Sequence, residues 1–586
     1  MSNAKPSISG LNLHDVHSVE RVLNDLYARQ PKAASIPLLE ARLLLESGSY
    51  AEAGARLLLI VNNFKPHDQL FQIGLRLLGL INDHDGFLTI LDEIKTPLID
   101  KLIKTHKSHS LSQALDFLGY HQRNNIKRLH ILSEHFVAVF ANRAYDENKF
   151  DTAFFLEQKI YQCFVTKSET EAAFEFAMGL TKDSATRAGQ RVGRSFGEKN
   201  LNFNNKTPIV GFFFHNASML AHISNIYSYL KEVCSAPSPK FKPIIFCLGG
   251  RHNEFSNKFS NIGVDVVYLD DDGVNGPGSI PSISDRLQVL NFKCAELQVD
   301  KIIWGCLALN MAFTFSMRIA KEQIWWSQKW QAFDFSEIDK RIWSFSMHES
   351  EKMLGDEWLC GWFQKETWLE PISELSVRQT RNQLDARVVV GCLARTEKMA
   401  NVRYLNAICE ILANNEDVLF LWTGREESAF ISKYFRAKGV YKKTKYIGWV
   451  DVNLYARVLD VVLDSFPFGN GNSILAAMQA GAPVLMWKSS SESKTFDLVS
   501  GSFLDETLEP NRDTDKVRSI FKASDDNPAG LYTCADNEKS YIQMANKLIQ
   551  DEGYRTEVGL SYQSFVEEMM REPAKAEQKF TQHILT

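Results

Sequence analysis

Five small residues, Gly469-Asn470-Gly471-Asn472-Ser473, stand between an apolar run and a helical one. The run Val461 to Asp464 reads as the end of a buried parallel strand. Ile474 to Ala480 reads as a helix, and Gly481-Ala482-Pro483 stops it before a further strand, Val484 to Met486. A glycine-rich turn leading from a strand's carboxyl end into a helix is an anion site. Unpaired backbone N–H groups and the helix dipole converge there, and glycine lets the backbone approach the ligand closely. Asn472 and Ser473 fall at the cap and first turn and add side-chain donors. The chemistry open to such a turn is to hold a phosphate, and the diphosphate of a nucleotide-sugar is a working expectation. Gly, Asn and Ser are also the ordinary turn formers, so the loop taken alone reads more readily as a plain connection.

The elements that must position this turn follow from the rest of the chain. A length of 586 residues exceeds what one core can serve, and roughly two to four domains are expected. With 45% hydrophobic and 23% charged residues the composition is that of a globular protein. A net charge of -5 gives no support to a nucleic-acid or polybasic membrane surface, so no nucleic-acid partner is expected. The nine cysteines are scattered, none in a CxxC pair, which favours a reducing compartment over a disulfide framework. The first residues carry no apolar leader, and no apolar run reaches transmembrane length, so the cytoplasm is the expected location.

Residues 12 to about 195 read as helix after helix. Pro37 to Glu46 and Ala55 to Val61 flank a small-residue turn with an aromatic, Ser47 to Ala53, in the manner of one tetratricopeptide-type hairpin. A second hairpin is suggested at Asn142 to Phe164, its turn at Asp146 to Ala153. The period between the two is irregular, and a plain helical bundle stays open. The polar stretch Lys182 to Lys206 reads as a linker or a loosely packed helix.

At Pro208 the periodicity changes. Strands are expected at Ile209–Phe214, Pro243–Cys247, Val264–Leu269, Lys301–Trp304, Gln323–Trp326 and Ile342–Ser344, with helices at Ser218–Val233, Ser282–Leu297 and Met311–Lys321. After an aromatic, irregular connection over 355–385, a second alternation gives strands Arg387–Leu393, Val418–Trp422, Thr444–Ile447 and Val461–Asp464. Helices at Val402–Asn414, Glu426–Lys438 and Asn453–Val458 lie between them, and helices from Glu538 to Leu585 close the chain. Alternation of this kind means parallel, doubly wound sheets, with ligands bound beyond the strands' carboxyl ends. The expected fold is α/β, two tandem Rossmann-like domains on the GT-B plan, preceded by an all-α helical-hairpin (TPR-like) domain. The boundaries are 1–200 for the helical domain, 207–375 for the first Rossmann-like domain and 386–586 for the second, nucleotide-sugar-binding domain with its C-terminal helices.

Within this plan the run Phe466-Pro467-Phe468-Gly469-Asn470-Gly471-Asn472 resembles the corresponding run of the bacterial cytoplasmic N-glycosyltransferases of high-molecular-weight adhesins. These are relatives of the O-GlcNAc transferases, and they too place an all-helical domain before a GT-B unit. The resemblance covers nearly the whole chain in layout and about ten positions in residues. It implies a lysine near the start of the second Rossmann-like domain that reaches the diphosphate. Lys398, after the strand that ends at Leu393, matches, with Arg395 in reserve. A cation there offsets charge on the leaving nucleoside diphosphate, while a lone surface lysine is more often merely solvated. The resemblance also implies a histidine at the start of the first domain's first helix, near the sugar or acceptor. His222 matches by its Ala-His-Ile context, and His215 closes the preceding strand; a satisfied structural histidine is the alternative.

One position departs from the pattern. An acidic residue that holds the ribose hydroxyls is expected just past the loop, and Ala476 stands there. Another group then binds the ribose, or nucleotide affinity is weak, or the donor differs from the family's usual UDP-hexose, or the chain is a degenerate, non-catalytic member. Asp270-Asp271-Asp272 suggests a metal motif of the GT-A type but lies in a loop of a GT-B-like domain, so it reads as a solvated turn and no metal is expected. Most of the eleven tryptophans lie between Trp304 and Trp368, where some could line an acceptor cleft and most serve packing. Thr423-Gly424-Arg425 ends a strand facing the same cleft, and Gly448-Trp449-Val450 sits where such enzymes read the base.

The expected function is that of a metal-independent, inverting glycosyltransferase that moves a hexose or HexNAc from a UDP-sugar to a polypeptide. His222 and Lys398 would be its catalytic residues. Arg395, Gly469, Asn470, Gly471, Asn472, Ser473, Thr423 and Trp449 would bind the nucleotide-sugar, which is the donor substrate; no cofactor is expected. A transferase acting on lipopolysaccharide or capsule glycan is one alternative. A helical-repeat interaction protein with a degenerate transferase domain is the other.

Overall fold

The computed structural model describes Leu13 and residues 15–104, 108–118, 126–167, 171–196, 205–217, 221–270, 282–305, 311–327, 335–343, 372–466, 469–470, 472–487, 514–527, 530–569 and 573–586. The chain divides into two compact units. The N-terminal helices as far as Val192, with the short helix Met311–Ser316, make up the first; most of the chain from Gly193 onward makes up the second.

In the first unit the helices Ile36–Glu46 and Tyr50–Asn63 form the expected hairpin, turned by Gly48 at φ +75°. That conformation is strained for any residue with a Cβ. Small residues set how closely the helix His84–Leu102 approaches: a Cβ on Gly86 would overlap the Tyr50 ring, and one on Gly54 would lie 3.3 Å from the Glu93 Cβ. The second hairpin, Ala138–Asp146 with Phe150–Lys167, turns through Asn148 at φ 58°. Lys182 to Ser195 is helix and not linker, the C-terminal half of Glu171–Ser195. Ala185 and Ala188 are buried along it, and a Cβ on Gly189 would overlap the carbonyl of Phe313. The helix expected over Met311–Lys321 spans Met311–Ser316 and is wholly buried in this unit. Its Phe313 ring stacks on Tyr145 at 6.0 Å and meets Phe150 and Phe154 at 5.0 Å.

The second unit holds two six-stranded parallel sheets. Strands β1 (Ile209–Phe214), β2 (Lys242–Cys247), β3 (Asp265–Tyr268), β4 (Lys301–Gly305), β5 (Glu322–Ser327) and β6 (Lys340–Trp343) lie in the order β3-β2-β1-β4-β5-β6. Strands β7 (Val388–Cys392), β8 (Val418–Trp422), β9 (Thr444–Tyr446), β10 (Val461–Leu463), β11 (Val484–Trp487) and β12 (Cys534–Ala535) lie in the order β12-β11-β10-β7-β8-β9. Both are the doubly wound order, so the tandem Rossmann-like plan holds. The central strands are buried on both faces, as in β7, where all five residues are buried.

The described elements that were not anticipated include β12 and the helices Asn253–Asn261, Glu374–Asn382, Thr396–Met399 and Thr514–Phe521. The last helix, Pro573–Leu585, follows the second sheet in sequence but packs on the first. Phe580 and Ile584 are buried in the first sheet's core, with the Phe580 ring 4.5 Å from Trp326 and 4.7 Å from Tyr229. Tyr229 and Thr581 share a hydrogen bond of 2.9 Å, and Lys301 donates to the Ile584 carbonyl at 2.7 Å. Burying Phe580 alone is worth about 2–3 kcal/mol by area transferred from water. No described helix is long and apolar enough to cross a membrane.

Candidate functional site

The strand order reverses between β7 and β10, which pair directly: Val461 faces Val390 and Val462 faces Gly391. Neighbouring strands at such a point send their following segments to opposite sides and leave a crevice beyond their carboxyl ends. The segment after β7 carries Lys398 in the short helix Thr396–Met399. The segment after β10 carries Asp464 and the Gly469–Asn470 turn, which leads into the helix Asn472–Gln479. Lys398 donates to the Gly469 carbonyl and, at 3.3 Å, to the Asn470 side-chain oxygen. Two segments far apart in sequence thus bring an ammonium onto the turn expected to bind an anion.

Asp464 anchors that turn. Its side chain is fully buried, and Oδ1 accepts from the Asn470 backbone N–H at 2.9 Å and from its side-chain amide at 2.8 Å. Asn470 therefore bridges the two charges, amide nitrogen toward Asp464 and amide oxygen toward Lys398. Burial raises the Asp464 carboxyl to about 7, against the opposing pull of Lys398 and the Asn470 donors. The neighbouring Cys392 thiol, at the end of β7, is pushed up to about 12 by burial and then by the Asp464 charge. Two buried phenols clamp the backbone where β10 ends: Tyr404 donates to the Leu463 carbonyl at 2.9 Å and Tyr541 to the Asp464 carbonyl at 2.7 Å. Phe466 is sandwiched there, stacked on Trp487 at 4.2 Å and edge-on to Tyr404 and Tyr541. The turn thus leaves a rigid base.

The remaining expected residues are placed as follows. Gly471 and the Asn472 side chain lie outside the described residues; Asn472 opens the helix, and Ser473 is half-buried in its first turn. Ala476 packs against the core of the second sheet. Arg395 is exposed at the N-cap of the helix that carries Lys398. Thr423 is buried, and its hydroxyl is engaged by the backbone, donating to the Ala394 carbonyl at 2.7 Å. It ties the end of β8 to the end of β7. Gly424 lies against Thr396, where a Cβ would overlap the threonine Oγ1. Trp449 is 60% exposed, follows Gly448 at φ +77°, and carries the Arg425 guanidinium 5.6 Å from its ring centre.

In the first sheet, His215 follows β1, and burial, then the Arg286 charge, holds its imidazole below the usual range and so neutral at pH 7. His222 is the second residue of the helix Ala221–Ser235, and its side chain lies outside the described residues. Asp270 follows β3, with a buried carboxylate oxygen that has no hydrogen-bond partner among the described residues; Asp271 and Asp272 lie outside them. Among the described residues no three His, Cys, Asp or Glu side chains cluster closely enough to hold a metal. Trp304, Trp325 and Trp326 are core residues.

Sequence reasoning missed Asp464, Tyr404 and Tyr541. An aspartate closing the apolar run Val461-Val462-Leu463 was the available signal, since an acid at a buried strand end needs a partner.

No family model matches the chain, and no curated protein matches it in sequence. Among solved structures it is similar to a mutant of the Thermobaculum terrenum O-GlcNAc transferase, at 13% identity over 97% of this chain and 96% of that one, with a TM-score of 0.46. It is similar to a glycosyltransferase from Rickettsia africae at 10% identity over 65% of this chain and 100% of that one, TM-score 0.43. A pneumococcal O-GlcNAc transferase in complex with UDP and GlcNAc matches at 9% identity over 65% of this chain and 100% of that one, TM-score 0.40.

Proposed function

We propose that the chain is a metal-independent, inverting glycosyltransferase that moves a hexose or N-acetylhexosamine from a UDP-sugar to a polypeptide. The observation that carries this reading is the Lys398 ammonium bonded to Gly469 and Asn470 at the switch point of the second sheet. A donor diphosphate would lie at the Gly469–Asn470 turn and the N-terminus of the helix Asn472–Gln479, with Asn472 and Ser473 as side-chain donors. Lys398 would turn from the carbonyl of Gly469 to the phosphates. As the sugar–phosphate bond breaks, negative charge grows on the leaving UDP, and a positioned cation is worth about 3–4 kcal/mol at such a point. Arg395 would add charge from the same segment. Trp449 would pack on the base, and Thr423 would hold the two strand ends in register beneath it.

Acceptor activation falls to the first sheet. His222 is the expected group. His215, at the carboxyl end of β1, is kept neutral and is therefore able to accept a proton from an acceptor. Ala476, with only a methyl group packed against the core, offers the ribose no acceptor, and this favours a second reading, in which the domain binds nucleotide weakly and the helical hairpins serve interaction.

Incubation with UDP-glucose and UDP-N-acetylglucosamine and candidate polypeptides, followed by intact-mass measurement, tests the proposal. Addition of one sugar mass, lost in Lys398→Ala, supports it. No transfer and no UDP release under any donor–acceptor pair would leave only the second reading.

A further inference from the structure

Asp464 is an expensive residue to keep where it is. The carboxylate is fully buried, Oδ1 serves Asn470 twice, and Oδ2 has no hydrogen-bond partner among the described residues. A buried ionised oxygen without a partner costs several kcal/mol unless charge nearby compensates it. The titratable groups that face it are Lys398 from the helix Thr396–Met399, Cys392 from β7, Tyr404 from the helix Val402–Asn414 and Tyr541 from the helix Glu538–Gln550. Of these four only Lys398 is cationic.

We propose that Asp464 is a positioning residue that holds Asn470 and Lys398 in place for a nucleoside diphosphate and takes up a proton from solvent at Oδ2 when that ligand binds. The inference rests on the diphosphate reading above. Its physical basis is competition for one cation. In the free protein the Lys398 field stabilises ionised Asp464. When a dianionic diphosphate draws Lys398 to itself, Asp464 loses that compensation and faces new negative charge through a low-dielectric interior. Binding one proton removes the conflict, and a neutral carboxyl still accepts both Asn470 bonds through Oδ1. The carboxyl is already poised at about 7 in the free state, so the uptake falls in an accessible range. No bond other than O–H forms, and the proton comes from buffer.

The test is calorimetric titration of UDP-N-acetylglucosamine, whose diphosphate diester does not itself titrate near neutrality. It is run between about pH 6 and 8.5 in two buffers of different ionisation enthalpy. The wild-type protein is expected to take up nearly one proton per ligand above pH ~7, its affinity falling toward tenfold per pH unit. Asp464→Asn keeps an oxygen for the Asn470 donors and is expected to bind with no uptake and a flat profile. Wild-type binding without proton uptake overturns the inference and leaves the diphosphate reading standing, as does an Asp464→Asn protein with an unchanged slope. Absence of any wild-type binding overturns both. The wild-type proton count decides the matter even if the variant fails to fold.

Discussion

The Lys398 ammonium lies 3.3 Å from the side-chain oxygen of Asn470, although the two residues are 72 positions apart. They meet because β7 and β10 are neighbours at the reversal of the strand order. The other end of the same amide donates to Asp464, which fixes the orientation of the amide and the direction in which its oxygen points. A cation, an amide and a buried acid therefore act as one unit at the mouth of the glycine turn.

Lys398→Ala is expected to lower kcat/KM for sugar transfer by about 10²–10³ while leaving the thermal midpoint nearly unchanged at pH ~6, where Asp464 is largely protonated. Lys398 contributes hydrogen bonds to the turn, and on the proposed reading it acts chiefly on the ligand. Steady-state UDP release and a thermal scan on the same preparation check both halves. A large drop in midpoint with unchanged turnover would assign Lys398 to structure.

Asn470→Ala leaves the Asp464 Oδ1 with one donor in place of two. Stability should fall by about 1–3 kcal/mol, the cost of an under-satisfied buried polar group. Chemical denaturation at pH ~8, where Asp464 ionises, should show a greater loss than at pH ~6, where it is largely protonated. Equal losses at the two pH values would contradict the bridging role.

Gly424→Ala places a methyl group on the Thr396 Oγ1. The helix Thr396–Met399 must shift, and Lys398 with it. Donor affinity is expected to drop about tenfold, or ~1.4 kcal/mol. Adding Thr396→Ala removes the overlapping oxygen and should restore most of the loss, as measured by titration of the three proteins.

In the first unit, Glu157 is buried, accepts from the Thr181 hydroxyl at 2.7 Å, and is raised by burial to about 7. The unfolded chain ionises this group near pH ~4.3. Below that pH both states are protonated and Glu157 has no effect. Between there and about 7 the unfolded state releases the proton first, so stability falls as pH rises; above about 7 the full penalty, ~4 kcal/mol, is present. Glu157→Gln should therefore stabilise the helical unit at pH ~8 and do little at pH ~4, as read by thermal midpoints across the range.

Much of this architecture is legible in sequence because parallel strands buried on both faces leave continuous apolar runs. Val388-Val389-Val390 and Val461-Val462-Leu463 could hardly be read otherwise. Elements without such a run are invisible. The helix Glu374–Asn382 buries no residue, and β12 is two residues long. The short helix Met311–Ser316 is mostly apolar and wholly buried, so its sequence marks burial but not the partner it packs against. The return of Pro573–Leu585 to the first sheet depends on Phe580 and Ile584 meeting Trp326 and Tyr229, a contact no local pattern encodes. At the site, Lys398 and the glycine turn were visible because each follows a strand. Asp464 was hidden because it reads as the last residue of one. Thr423 was visible as a strand-end hydroxyl, but its backbone partners on β7 and at Ala394 were not.

The central claim is that the Gly469–Asn470 turn and Lys398 hold a nucleoside diphosphate. Calorimetric titration of UDP into the wild-type protein and into Lys398→Ala tests it most directly. The account predicts saturable binding by the wild type, weakened at least about tenfold, ~1.4 kcal/mol, in the variant. No heat of binding at millimolar UDP, or equal affinity in the two proteins, would contradict it.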